Sequence, residues 1–247
     1  MEKDTGTGWL ADSWAQIGRR VDEACRLAGR APSEVDILPV SKTFGPDIIR
    51  AGVALGMHRF GENKAQEIRD KAAPLADCDI EWVMIGHMQT NKAKDVARLA
   101  GEVQSVDRLE LAEALDRRLQ HEGRAIDVLV QVKTSTEPSK YGLPPEQLGE
   151  FLNQLRRFDT LRVRGLMTLA ILSKEPDAVR ACFRLLRELR DREALEHGDL
   201  TRLSMGMSGD FPLAIAEGAT EVRIGTAIFG NRPYPDSYYW PESSVTK

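Results

Sequence analysis

Apolar and polar positions alternate along this chain in two rhythms. The first stretch carries Leu10, Trp14, Ile17, Val21, Ala24 and Ala28 at steps of three and four, which places them on one helical face. Gly29 is suited to end that helix. Short apolar runs then alternate with longer helical patterns. Strands are expected over residues 35–40, 57–60, 81–85, 103–106, 125–132, 161–167, 202–205 and 221–224. Helices are expected over 46–55, 64–73 and 92–100, from Leu109 through Leu119, after Pro144-Pro145, over 177–197, and over 211–217. Strands separated by helices imply parallel pairing through crossover connections. Eight such units predict a single (β/α)8 barrel at 35–230, with an extra leading helix at 8–29 and a tail at 231–247. A doubly wound open sheet is the competing architecture.

Composition narrows the classes. Lys plus Arg is 34 against 38 for Asp plus Glu, a net charge of −4, which argues against nucleic-acid binding by a global positive field. The longest apolar run falls short of the ~20 residues of a membrane helix, and the N-terminus lacks a secretory pattern, so a cytoplasmic protein is expected. Cys25, Cys78 and Cys182 are widely spaced and suggest neither a disulfide framework nor a zinc site. Four scattered histidines without clustered carboxylates predict no metal.

Barrel chemistry sits on the loops after the strands. Lys42 follows the first strand; a lysine held there by apolar neighbours has a lowered pKa and an amine available to a carbonyl, although a snorkelling surface lysine fits the same position. Met207, Ser208 and Gly209 follow the seventh strand, and Arg223, Gly225 and Thr226 end the eighth. Exposed N–H groups and hydroxyls there suit a phosphate, and equally suit plain turn and cap chemistry. Asn63 and His87 follow the second and third strands, where they could orient a ring or simply satisfy loop backbone. The arginines from Arg184 to Arg192 read as the solvated face of a long helix.

Several ordered stretches carry a family likeness. They are Pro39-Val40-Ser41-Lys42-Thr43, Phe60-Gly61-Glu62-Asn63, Gly86-His87-Met88-Gln89-Thr90-Asn91-Lys92, Arg164-Gly165-Leu166-Met167-Thr168, Ser204-Met205-Gly206-Met207-Ser208-Gly209 and Val222-Arg223-Ile224-Gly225-Thr226. With them the chain resembles the pyridoxal phosphate homeostasis proteins, whose barrel is like the N-terminal domain of alanine racemase. The resemblance implies pyridoxal 5′-phosphate (PLP) joined to Lys42 as a Schiff base, with its phosphate on Ser208, Gly209, Gly225 and Thr226 beside Met207. It places Arg223 near the phosphate or the ring nitrogen, and Asn63 and His87 at the same mouth. It further implies a protein of vitamin B6 homeostasis that stores PLP and delivers it to apo-enzymes; a monomer is expected, although the sequence does not give the oligomeric state. Lys140 matches a family lysine linked to cofactor handling. Two positions after Lys42, where the family often has a second basic residue, stands Phe44.

The rival expectation is a PLP-dependent amino-acid racemase. That chemistry needs a second base opposite Lys42, which in alanine racemase is a tyrosine from an added β-domain. Only 17 residues follow Gly230 here, and their Tyr234, Tyr238 and Tyr239 are the available tyrosines.

Overall fold

The computed structural model describes residues 8–135, 137 and 141–231. Lys140 and the three terminal tyrosines lie outside the described residues. Among the described residues, eight parallel strands form one sheet: β1 (Asp36–Pro39), β2 (Arg59–Glu62), β3 (Glu81–Met84), β4 (Ala100–Val106), β5 (Ile126–Gln131), β6 (Leu161–Met167), β7 (Arg202–Ser204) and β8 (Glu221–Ile224). The hydrogen-bonded order is β1-β8-β7-β6-β5-β4-β3-β2. A parallel bridge between Val40 and Gly61, with the Ser41 N–H donating to the Gly61 carbonyl at 3.1 Å, links the two ends. The sheet is therefore a nearly closed barrel, not the open doubly wound alternative.

The crossovers supply α2 (Pro46–Ala54), α3 (Ala65–Ala72), α4 (Ala93–Leu99), α5 (Leu109–Glu122), α6 (Leu148–Leu155), α7 (Pro176–Glu193) and α8 (Phe211–Ala216); α1 (Gly8–Leu27) leads and α9 (Thr226–Phe229) follows β8. The main apolar core lies between the strands and this helical ring. The buried face of α1 is Leu10, Ile17, Val21, Ala24 and Cys25. It packs on α8 and α9, and beyond its end Arg30 donates to the Ile215 and Ala219 carbonyls at the close of α8. Burying each of these larger aliphatic side chains contributes about 1.5–3 kcal/mol, so the leading helix is part of the barrel's packing. Leu38, Val40, Val83, Leu129 and Met167 are buried apart from that cluster.

Several boundaries differ from the sequence reading, and three of the differences are instructive. The second strand starts at Arg59, because Met57 closes α2 instead: its N–H donates to the Gly52 carbonyl, and Gly56 takes a left-handed φ of +86°. The fourth strand starts at Ala100, since Glu102 is a buried inward residue and not part of a polar loop. The long seventh helix ends at Glu193, four residues early. Its basic face is also less solvated than its composition suggests: Arg180, Arg184 and Arg187 converge on the buried Glu217 carboxylate.

At the N-terminal end of the strands the barrel is plugged by charge. Arg59 and Arg202 each pair with both Glu102 and Glu221 at 2.6–3.2 Å. Gln104 donates to both carboxylates at 2.6 Å. Burial and the neighbouring Glu221 charge hold Glu102 above the usual carboxylate range. Glu221 is lower than usual despite its burial, because Arg59, Arg202, Gln104 and Ser204 all favour its charge.

Candidate functional site

The opposite end opens into a cavity of about 1210 Å³, at or above the ~300–1,000 Å³ of ordinary small-molecule pockets. Strand alternation and the loops decide who faces it. Lys42 follows Val40 on the inward side of β1 and lines the cavity. Asn63, after β2, and His87, after β3, line it from one side. Met207, Ser208 and Gly209, after β7, line it from the other, with Arg223, Gly225 and Thr226 from β8 and α9. All nine residues singled out from the sequence thus border one space.

Two glycines build the rim. A side chain at Gly86 would place its Cβ 2.1 Å from the Asn63 carbonyl oxygen, so only glycine lets the end of β3 pass the β2 loop. Ser105 Oγ fixes that turn by donating to the Gly86 carbonyl at 2.7 Å. Gly206 has φ of +93°, and a Cβ there would meet Ala214 at 2.6 Å, so this position docks the β7 loop on α8. The Met207 N–H then bonds the Asp210 carboxylate. Among the described residues, the N–H groups of Ser208, Gly209 and Thr226 have no acceptor and are available at the cavity edge.

Arg223 is almost wholly buried yet reaches the cavity. Its guanidinium donates to Ser204 Oγ at 2.8 Å and to the Thr168 carbonyl at 2.7 Å. Burial pushes its pKa down to about 10, against the pull of Glu221 and Asp210, so it stays cationic at neutral pH. Ser204 Oγ lies 2.7 Å from Gln104 Oε1 and 2.9 Å from Glu221 Oε1, which joins Arg223 to the charged floor. On the other wall His87 stacks on Tyr141 with ring centroids 3.9 Å apart and planes 12° apart. Its Nδ1 lies 3.4 Å from Asp107 Oδ2. Asp107 also accepts from Arg108.

Some cavity residues were not foreseen. Gln131 ends β5 buried at the cavity, with its Nε2 on the Tyr141 carbonyl and its Oε1 without a partner among the described residues. Period-2 alternation from Leu129 was the available signal. Phe44 lines the mouth and packs on Phe229 at 5.4 Å, so an aromatic pair occupies the place of the family's frequent second basic residue. Nothing in the local sequence pairs those two rings. Lys64, Gln66, Gln89 and Lys92 add a polar wall on the His87 side.

The chain matches the family model for the alanine racemase N-terminal domain over residues 15–233. It is 41% identical over 221 residues to the pyridoxal phosphate homeostasis protein of Aquifex aeolicus, covering 89% of this chain and 97% of that one. It is 42% identical over 225 residues to the protein of the same name from Pseudomonas aeruginosa, covering 91% and 96%. The chain belongs to the pyridoxal phosphate homeostasis family. Among solved structures of this family's fold, PipY of Synechococcus elongatus, with PLP bound, is 37% identical with a TM-score of 0.76, covering 85% of this chain and all of that one.

The residues of this family member fit such a cofactor. One wall offers amides without an acceptor among the described residues, and hydroxyls, for a phosphate; the buried Arg223 and the side chain of Lys42 border the same space. Among the described residues no cluster of side chains could hold a metal, and no helix is long and apolar enough to cross a membrane.

Proposed function

We propose that this protein binds PLP in the barrel mouth and serves vitamin B6 homeostasis by storing it. Lys42 holds the aldehyde carbon through its ε-amine as a Schiff base, the reversible linkage that stores a reactive aldehyde. Ser208 and Thr226 offer hydroxyls to the phosphate, and Gly209 and Gly225 let it approach the backbone. Met207 covers the edge of the cup. Arg223 presents a fixed cation beside the phosphate or the ring nitrogen, and Asn63 and His87 border the ring from the opposite wall. PLP itself supplies an electron sink for amine substrates, so the protein's own task is to bind, orient and sequester. The observation that carries this reading is the convergence of all nine residues on one cavity. It is supported by the homeostasis names of relatives and by PLP in PipY. Those names favour storage over the racemase alternative.

The test is spectroscopic and chemical. PLP added to the purified protein gives a shifted absorbance band, and borohydride fixes the label on Lys42. A colourless, unlabelled protein overturns the proposal. Delivery to apo-enzymes by a cytoplasmic monomer is the second part of the proposal. Transfer to an apo-enzyme faster than from free PLP supports it, and equal rates leave storage alone; light scattering checks the monomer.

A further inference from the structure

On the far side of the β1–β2 wall from the cavity, three ionisable side chains meet beneath the Lys42 segment. Glu62 ends β2, and Glu67 and Lys71 stand one turn apart on α3. Lys71 Nζ lies 2.7 Å from Glu62 Oε1 and 2.8 Å from Glu67 Oε2. It also donates to the Ser41 carbonyl at 3.0 Å. Ser41 Oγ donates to Glu62 Oε1 at 2.6 Å, and the Thr43 N–H donates to Glu67 Oε2 at 2.8 Å. The residue before Lys42 and the residue after it are therefore both tied to one cluster.

Stability alone does not account for this arrangement. Lys71 is buried with Glu67 as its anion and the buried Glu62 carboxyl beside it, and a buried ion pair is seldom better than apolar packing of the same volume. The cluster moreover holds a costly backbone. Thr43 has φ of +73°, the sole positive value at a non-glycine among the described residues, and its Oγ1 is buried without a partner there. A β-branched residue in that region costs about 1–3 kcal/mol and persists only where its surroundings over-determine it. The Glu67 carboxylate on the Thr43 N–H is such a determinant. With Ser41 drawn outward and Thr43 held left-handed, the side chain between them is directed into the cavity.

We propose that Glu62, Glu67 and Lys71 are positioning residues for Lys42, which rests on the Lys42 reading above. They do not touch the cofactor. They fix the segment so that the ε-amine meets an incoming aldehyde at one place and angle, and so set the speed and selectivity of capture. Capture forms one C=N bond, and the aldehyde oxygen leaves with the two amine hydrogens as one water.

The experiment uses the full chain and PLP. Wild type, Glu67→Ala, Glu67→Gln and Lys71→Met are incubated with PLP and quenched with borohydride at intervals. Peptide mass spectrometry reads the label at Lys42 and at every other lysine, and melting curves give the folded fraction. Loss of a hydrogen bond to a charged group corresponds to about tenfold slower or weaker labelling of Lys42 in folded Glu67→Ala and Lys71→Met. The label also spreads to other lysines. Glu67→Gln recovers part of the rate, because its amide oxygen still accepts from Thr43. Labelling of the folded variants at the wild-type rate and half-saturation overturns the proposal, as does a loss that merely follows the unfolded fraction. If both stronger variants fail to fold, Ser41→Ala removes a single tie and is expected to slow labelling about threefold; wild-type behaviour there overturns the proposal too. A wild type that takes no label at Lys42 overturns the Lys42 reading itself and the positioning role with it, a result distinct from the others.

Discussion

At the floor of the barrel, Arg59 and Arg202 face Glu102 and Glu221, and Gln104 fills the carboxylate positions that remain. At the mouth, Lys42, Lys64, Lys92 and Arg223 border a cavity whose edge also shows amides without acceptors among the described residues. Both ends are polar, the floor through inward positions of β2, β4, β7 and β8, the mouth mainly through the segments that follow the strands. Their charge is matched differently. The floor sets Arg59 and Arg202 against Glu102, Glu221 and, at its outer edge, Glu81, all within hydrogen-bonding distance, so its field closes on itself. The mouth gathers donors around open space: the Ser208, Gly209 and Thr226 amides have no acceptor among the described residues, and an anion from outside can accept from them. A buried charge that is fully paired holds structure together; a donor set left short of acceptors binds a ligand. Arg223 connects the two regimes, since its guanidinium is seated on Ser204 and Thr168 while its outer edge reaches the cavity.

Four substitutions test that contrast, beginning with the largest effect. Lys42→Ala is expected to abolish the borohydride-stable PLP label while leaving the melting temperature near wild type, because the removed side chain faces the cavity. A label that persists at another lysine with wild-type affinity would show that the mouth's cations are interchangeable. Glu221→Ala attacks the floor. It leaves Arg202 with Glu102 alone and Arg59 with Glu102 and Glu81 in a largely buried cluster, and urea unfolding is expected to report about 3 kcal/mol of lost stability. The folded fraction should still take the label at Lys42; loss of labelling in folded protein would mean that the two ends are coupled through Ser204.

The third test concerns pH. Burial raises the Glu62 carboxyl to about 8, Lys71 partly opposes this, and the Glu67 charge adds to it. A carboxyl raised in the folded state binds its proton more tightly there than in the unfolded chain. Between its ordinary value of 4.5 and about 8 the folded protein therefore holds the extra proton, and stability falls as pH rises through that window. Glu62→Gln removes the titration and is expected to flatten the slope by up to about 1.4 kcal/mol per pH unit. Unfolding midpoints across the window measure it, and parallel curves for the two proteins would contradict it. Last, Ser208→Ala removes one hydroxyl from the phosphate cup. PLP half-saturation should rise several-fold, matching about 1 kcal/mol, with an unchanged melting temperature. A drop in melting temperature without PLP would make Ser208 a loop cap instead.

The alternating rhythm alone placed most strands within two residues, because a buried parallel strand must be apolar and its crossover helix must be amphipathic. Lys42, His87 and the Ser208–Gly209 loop were legible for a related reason: in this architecture a strand's C-terminal end is where polar residues can meet. The misplaced boundaries fell where one residue type served two purposes. Met57 is apolar and β-compatible, yet it caps α2. Glu102 is charged, yet it is an inward strand residue because arginines from β2 and β7 wait for it. Gln131 and the Glu62–Glu67–Lys71 cluster escaped notice because a single chain position does not reveal which partner burial will bring.

The sequence by itself determined the element order, the barrel class, the family and the set of residues at the strand ends, since all of these depend on local pattern and spacing. Tertiary structure alone decided that nine of those residues surround one cavity, that Phe44 packs on Phe229, and that Ser41 and Thr43 share one buried cluster. Pairing across the barrel joins residues 162 positions apart, as Arg59 and Glu221 show. Such contacts follow from barrel closure and side-chain reach, which no local stretch of sequence encodes.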